Sequence, residues 1–358
     1  MSSESFRGAA RAAALVLSAL LASSAHAAVA LPAYRTFGDW TVACDNTGAC
    51  EARGYTDNGD DSLALRVVRA AGRDAVPTFE VVDIPDGAGA TLKLDGRALS
   101  FGANALQTRA SKDDDNAPTR TLVLRGVAAL QSLAAQARRA KHLGLAGTAS
   151  VGSLTGFNAA MLFIDDAQGR VDTPTAIARP GRSNAAIPDA RPLPAVHAVP
   201  SRGKPLSDAA VRRYVDALKK LHDDCDDDVG SMTASVDPIG DAQVIALVPC
   251  VLGAYQGSYA AFISPRNDPA HAKPLRLPFP PGIDDDSSML TEAGFDAKTG
   301  RLSTFAKGRG LADCGMSAEW AWDGRAFVLA SYTLLDRCGW PEPGDLLTVW
   351  RTADGAPR

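Results

Sequence analysis

The spacing of apolar and polar positions reads as mostly β, with helices at three places. Residues 40–44 and 49–53 flank the turn-forming cluster Asp45-Asn46-Thr47-Gly48, so Cys44 and Cys50 face each other across a predicted hairpin. Residues 63–68, 78–82 and 119–125 are further β-rich runs, and 91–94 and 97–101 flank Asp95-Gly96, a strong hairpin turn. Helical spacing appears over 127–143, where Val127, Leu130, Leu133, Ala134 and Ala137 share a face and Gly144 ends the run. A second helix over 155–165 has Thr155 as its expected cap, and a third over 207–222 opens on Ser207. Residues 242–265 hold no charge, but Pro249, Gly253 and Gly257 interrupt them, which fits two buried strands better than a membrane span. Hairpins are expected at Lys298-Thr299-Gly300 and at a two-residue Asp323-Gly324 turn, with a last strand over 346–351.

Residues 176–205 change this picture, because Pro180, Pro188, Pro192, Pro194, Pro200 and Pro205 fall among Ala, Arg and Ser without periodicity. Such a stretch is an extended, semi-rigid linker. The expected fold class is therefore α+β and β-rich, with two antiparallel β domains, packed helices and disulfide staples. The boundaries are 28–175 for an N-terminal β-rich domain ending in helices, 176–205 for the linker, and 206–358 for a C-terminal helix plus β-meander.

Residues 1–27 read as an export signal, with Arg7 and Arg11 ahead of an apolar run over 12–22 that is too short to span a bilayer. Ala25-His26-Ala27 is a small-x-small cleavage pattern, so the mature chain is expected to begin at Ala28. No twin-arginine pair precedes the run and no cysteine is near the cut, which points to the general secretory route, without lipidation, into the periplasm or beyond. Six cysteines in an exported chain argue for disulfides. They fall into three couples, giving Cys44–Cys50, Cys225–Cys250 and Cys314–Cys338, while a zinc site would want close Cys pairs and nearby histidines.

Of 358 residues 46% are hydrophobic and 22% charged, the proportions of a globular chain. The formal net charge of −4 argues against a nucleic-acid partner.

The stretch Phe37-Gly38-Asp39-Trp40-Thr41-Val42-Ala43-Cys44-Asp45-Asn46 with Cys50 resembles the opening of the exported bacterial domain-of-unknown-function family 1176. Further matches are Pro249-Cys250 with Gly253-Ala254-Tyr255, Lys307-Gly308-Arg309-Gly310-Leu311-Ala312-Asp313-Cys314-Gly315, Trp322-Asp323-Gly324, Cys338 and Leu347-Thr348-Val349-Trp350-Arg351-Thr352. The first half, through Asp39-Trp40, Leu154-Thr155-Gly156-Phe157-Asn158 and Asp165-Asp166-Ala167-Gln168-Gly169-Arg170, is similar to the invasion-associated locus B family. These resemblances imply a periplasmic or surface accessory module, and no catalytic residues.

The residues themselves offer little catalytic machinery. Gly315-Met316-Ser317-Ala318-Glu319 lacks the last glycine of a nucleophile elbow, and no phosphate-binding loop occurs. Asp224, Asp226 and Asp228 alternate as calcium ligands would, but Val229 and Ser235 stand where a calcium loop needs Gly and Glu. Arg138 and Arg139, with Lys141 and His142, are expected to complement the C-terminal end of the first helix or to meet a partner. Tyr255 and Tyr259 flank a turn, Lys307 and Arg309 offer surface contacts, and Trp320 and Trp322 share a strand face as core or as a recognition patch. No cofactor is called for. The expected function is non-enzymatic: an exported binding or accessory module for an envelope protein or glycan. Two alternatives stand, a hydrolase of cell-wall or glycan material using paired carboxylates, and an inhibitor of a lytic enzyme.

Overall fold

The computed structural model describes residues 29–353 except 57–61, 86–88, 100, 102–104, 113–116, 202, 222–224, 227 and 284–288. Residues 1–27, read above as an export signal, Asp224 and the acidic runs at 113–115 and 284–286 lie outside the described residues.

The chain opens with five antiparallel strands, β1 (Ala33–Phe37), β2 (Trp40–Cys44), β3 (Cys50–Gly54), β4 (Ala64–Arg69) and β5 (Thr78–Pro85). A small hairpin follows, β6 (Leu92–Leu94) and β7 (Arg97–Ala98), then β8 (Leu106–Lys112) and β9 (Pro118–Arg125). Strands β9 and β8 extend the first sheet to seven in the order β1-β2-β3-β4-β5-β9-β8. Helix α1 (Val127–Ala137), β10 (His142–Leu145), β11 (Val151–Ser153) and α2 (Phe157–Ala167) complete this half, with β10 and β11 joining β6 and β7 in a four-stranded sheet. Both helices press Leu130, Leu133, Phe157, Met161 and Ile164 onto one face of the large sheet, against Trp40, Val67 and Phe79.

The second half begins with α3 (Asp208–Leu218), then β12 (Ser235–Ile239), β13 (Gln243–Leu252), β14 (Gly257–Pro265), β15 (Lys273–Pro274) and β16 (Met289–Thr291), which form one five-stranded sheet. The other is a meander of β17 (Gly294–Asp296), β18 (Arg301–Lys307), β19 (Gly315–Trp322), β20 (Phe327–Leu335) and β21 (Leu347–Arg351), neighbours in chain order. The uncharged 242–265 run is thus a buried strand pair, β13 with β14. Trp320 and Trp322 are both buried.

All three cysteine couples are bonded as expected. Cys44 and Cys50 are direct register partners, and the Asp45 carboxylate fixes the turn between them by accepting from the Thr47 and Ala49 amides at 2.8 and 3.1 Å.

Three local expectations are corrected. The first helix stops at Ala137, because Asp95 accepts from the Lys141 and His142 amides and Leu143 and Leu145 alternate into β10. Arg138 and Arg139 therefore lie on an exposed turn beyond the helix. Thr155 does not cap α2; its carbonyl accepts from the Asp39 amide, and Gly156 at φ 95° takes the cap position. The Asp323-Gly324 turn spans four residues, since the Asp323 carboxylate folds back to accept from the Arg325 and Ala326 amides.

The described residues of 176–205 form no helix or strand, and they run as a strap tied to both halves. The Arg191 amide donates to Thr47, Val199 to Trp322 and Ser201 to Ala297, while Pro194 accepts from Ala353. Val196 of the strap covers Ala321 and Ala330 on the meander's outer face. The halves also share an apolar cluster in which Ala43, Tyr55, Ala64 and Val82 meet Trp340 and Leu347.

Candidate functional site

The residues nominated from sequence fall in separate places. Tyr255, Lys307 and Arg309 share one corner: the Gln256 side chain bonds both the amide and the carbonyl of Lys307, and Tyr255 lies beside Gly310. Arg309 spends its guanidinium on Asp313, four residues on. Tyr259 is half-buried and packs against the shared apolar cluster. Asp226 and Asp228 are exposed, and the Asp228 carboxylate accepts from the Gly230 amide. Among the described residues, one group has three metal-ligand side chains close together, Asp313, Cys314 and Cys338, and its sulfurs are committed to a disulfide.

The distinctive sequence motifs assemble into the joint between the halves. Arg351 of β21 pairs with Asp45 at 2.6 Å, and its backbone exchanges two hydrogen bonds with the Asn46 side chain. Asp39 holds Arg337 at 3.2 Å, and Arg337 lies over the Tyr55 ring. Arg53, 1% exposed, reaches Glu51 at 2.7 Å and Asp345 at 2.9 Å and stacks 4.3 Å from the Trp340 ring centroid. Trp340 in turn donates its indole N–H to Asp345 at 3.0 Å. Partners so far apart in sequence make these motif residues structural, with their chemistry directed inward.

A groove of about 1120 Å³ lies on the outer face of the meander. Alternation along antiparallel strands builds its floor. Ser303, Glu319 and Ser331 form one row across β18, β19 and β20; Ser317, Thr333 and Thr348 form the next across β19, β20 and β21. The strap covers the apolar end of this face and leaves the hydroxyl end open. The walls are Asp296 and Thr299 on one side and the Glu342–Leu346 loop on the other. Ser331, Thr333 and Thr348 line the groove, and among the described residues the structure gives no hydrogen-bond partner to their hydroxyls, each of which has donor and acceptor capacity. Arg301 and Glu319 form an ion pair in the floor.

Two carboxyls on the second wall titrate apart. Glu342 is pushed up to about 7 by burial, aided by its hydrogen bond to Asp345 and that group's charge. Burial alone would raise Asp345 too, but the Arg53 charge and hydrogen bonds from Glu342, Arg53 and Trp340 hold it below the usual carboxylate range. Because the folded protein binds the Glu342 proton more tightly than the unfolded chain, stability falls as pH rises from about 4.5 to about 7 and is flat above. The variant Glu342→Gln keeps the hydrogen-bonding shape without the titration. Its urea midpoint, followed over that window, is expected to lose this decline.

Sequence reasoning missed the groove and the Glu342–Asp345 pair. The available signal was the period-two placement of Ser317 with Glu319 and of Ser331 with Thr333, which by itself marks only a polar sheet face.

A family model described as "Protein of unknown function (DUF1176)" matches residues 34–353. The chain is 31% identical over 344 residues to the uncharacterized protein YpfG of Escherichia coli strain K12, covering 90% of this chain and 94% of that protein. No solved structure matches.

Proposed function

The chain belongs to the DUF1176 family, and on that footing we propose that it is an exported binding protein whose groove takes a polar, hydroxyl-rich chain of the cell envelope, such as a glycan strand. The observation that carries this reading is the groove floor: two rows of hydroxyl side chains and one carboxylate, repeating at the strand spacing of ~4.8 Å, in which the hydroxyls can accept and the Glu319 carboxylate accepts only. Three disulfides suit an oxidising compartment, and among the described residues no helix is long and apolar enough to cross a membrane. Residues 1–27 would direct the chain there and be removed. The implied accessory role fits a fold whose conspicuous motifs hold the two halves together.

A second reading is favoured by one observation, the Glu342 carboxyl at about 7. A carboxyl protonated near neutrality is the donor a glycoside hydrolase requires. Its neighbour Asp345 is bound by Arg53 and Trp340, however, which makes it a poor nucleophile or base.

The test is titration of residues 28–358 with soluble cell-wall glycan fragments by calorimetry, alongside Thr333→Trp, whose indole would fill the floor. Binding is expected in the wild type and to weaken at least tenfold in the plugged variant, about 1.4 kcal/mol. Equal binding by a folded Thr333→Trp protein rejects the groove. New reducing ends, absent with Glu342→Gln, would select the hydrolase.

A further inference from the structure

Behind the β2–β3 hairpin, Arg69 at the end of β4 and Arg170 just after α2 have no solvent exposure at their side chains, and neither does Asp165 of α2. Arg170 is fully engaged, donating to Gln168, Thr175 and the Gly72 carbonyl. Asp165 accepts from the Ile177 and Ala178 amides and stands 3.8 Å from Arg69. Arg69 donates through one nitrogen to the Thr175 carbonyl, while its Nε and Nη2 are buried without a hydrogen-bond partner.

The charges do not balance. Among the described residues, Asp165 is the one carboxylate acting on either guanidinium, and the two guanidinium groups repel each other. Burial, with that repulsion, lowers Arg69 to about 10, which still leaves it protonated at neutral pH. A sealed cluster with one excess positive charge and two unmet donors costs several kcal/mol unless a counter-charge joins it.

We infer that a small inorganic anion, chloride by size and charge, is bound against Nε and Nη2 of Arg69. A water molecule would accept from the two donors but bring no charge. A larger oxyanion would need more room than side chains without solvent exposure leave.

Protein prepared in sodium gluconate is taken through a thermal unfolding series in which chloride replaces gluconate at constant ionic strength. The midpoint is expected to rise with chloride, and the unfolding constant to fall about tenfold for each tenfold rise in chloride well above the dissociation constant, the signature of one anion released on unfolding. Arg69→Met is expected to lose that dependence. Crystals of the wild type grown in bromide are expected to show an anomalous peak against Arg69, a readout that stands even if the variant does not fold. A midpoint indifferent to the anion, a chloride response retained by Arg69→Met, or no anomalous peak at Arg69 overturns the site.

Discussion

Replacing Asp345 with alanine is expected to destabilise the protein by about 3 kcal/mol, read as a drop in the urea midpoint with unchanged slope. Three groups lose a bond at once: the Arg53 guanidinium, which keeps only Glu51 as a charged partner, the Trp340 indole N–H and the Glu342 carboxyl. Arg53 is the expensive one, because it is 1% exposed and cannot shed its proton. Asp345 itself is 33% exposed, so water partly reaches the vacancy, which sets the expectation at the lower end of the range for broken buried pairs. The double variant Arg53→Met/Asp345→Ala is expected to be more stable than Asp345→Ala alone, since the buried cation left with one of its two carboxylates is gone. A loss below about 1 kcal/mol would place the pair among surface ion pairs and sink this account of the joint. The pH decline assigned to Glu342 should also shrink in Asp345→Ala, because the hydrogen bond that favours the protonated acid is removed.

Gly156→Ala is expected to be harsher still, costing more than about 4 kcal/mol or preventing folding. Gly156 sits at φ 95°, and a Cβ there would lie inside the van der Waals shell of the Phe37 carbonyl oxygen. Both partners are backbone, so no side-chain rotation relieves the overlap, and the start of α2 would lift from β1. Gly126, which caps α1 at φ 111° with nothing within 4 Å of such a Cβ, is the internal control. Alanine there is expected to cost about 1 kcal/mol, the conformational strain alone. Circular dichroism melts of the two variants separate the contributions, and equal losses would mean that the close approach to Phe37 is not what demands glycine at Gly156.

Local chemistry was legible wherever one short stretch decided the outcome. The Asp45–Gly48 turn, the Asp95-Gly96 hairpin and the Cys44–Cys50 disulfide depend on near neighbours, the other two disulfides on cysteines 25 and 24 positions apart, and each formed as the residues indicate. Strand β8 escaped because Leu106–Lys112 is polar on both faces, at the edge of its sheet, where no burial imposes alternation. Helix α1 read too long because Leu143 continues a helical spacing that the Asp95 carboxylate cuts off from the far side of a hairpin. The joint and the groove were out of reach for the same reason at larger scale. Arg53 meets a residue 292 positions away, and the groove's hydroxyls come from four strands whose order the sequence alone does not fix.

The tie between Asn46 and Arg351 spans 305 positions and bears on the order of events during synthesis. A chain emerging N-terminus first can close its Cys44–Cys50 hairpin almost at once, yet the outer side of that turn waits for β21. Strand β21 is therefore a late-made latch on the β2–β3 turn, a closure of long range. A polypeptide cut short before Leu347 would lack the bonds that Arg351 makes to Asp45, Asn46 and Thr47 and would hold that turn through the strap's Arg191 amide.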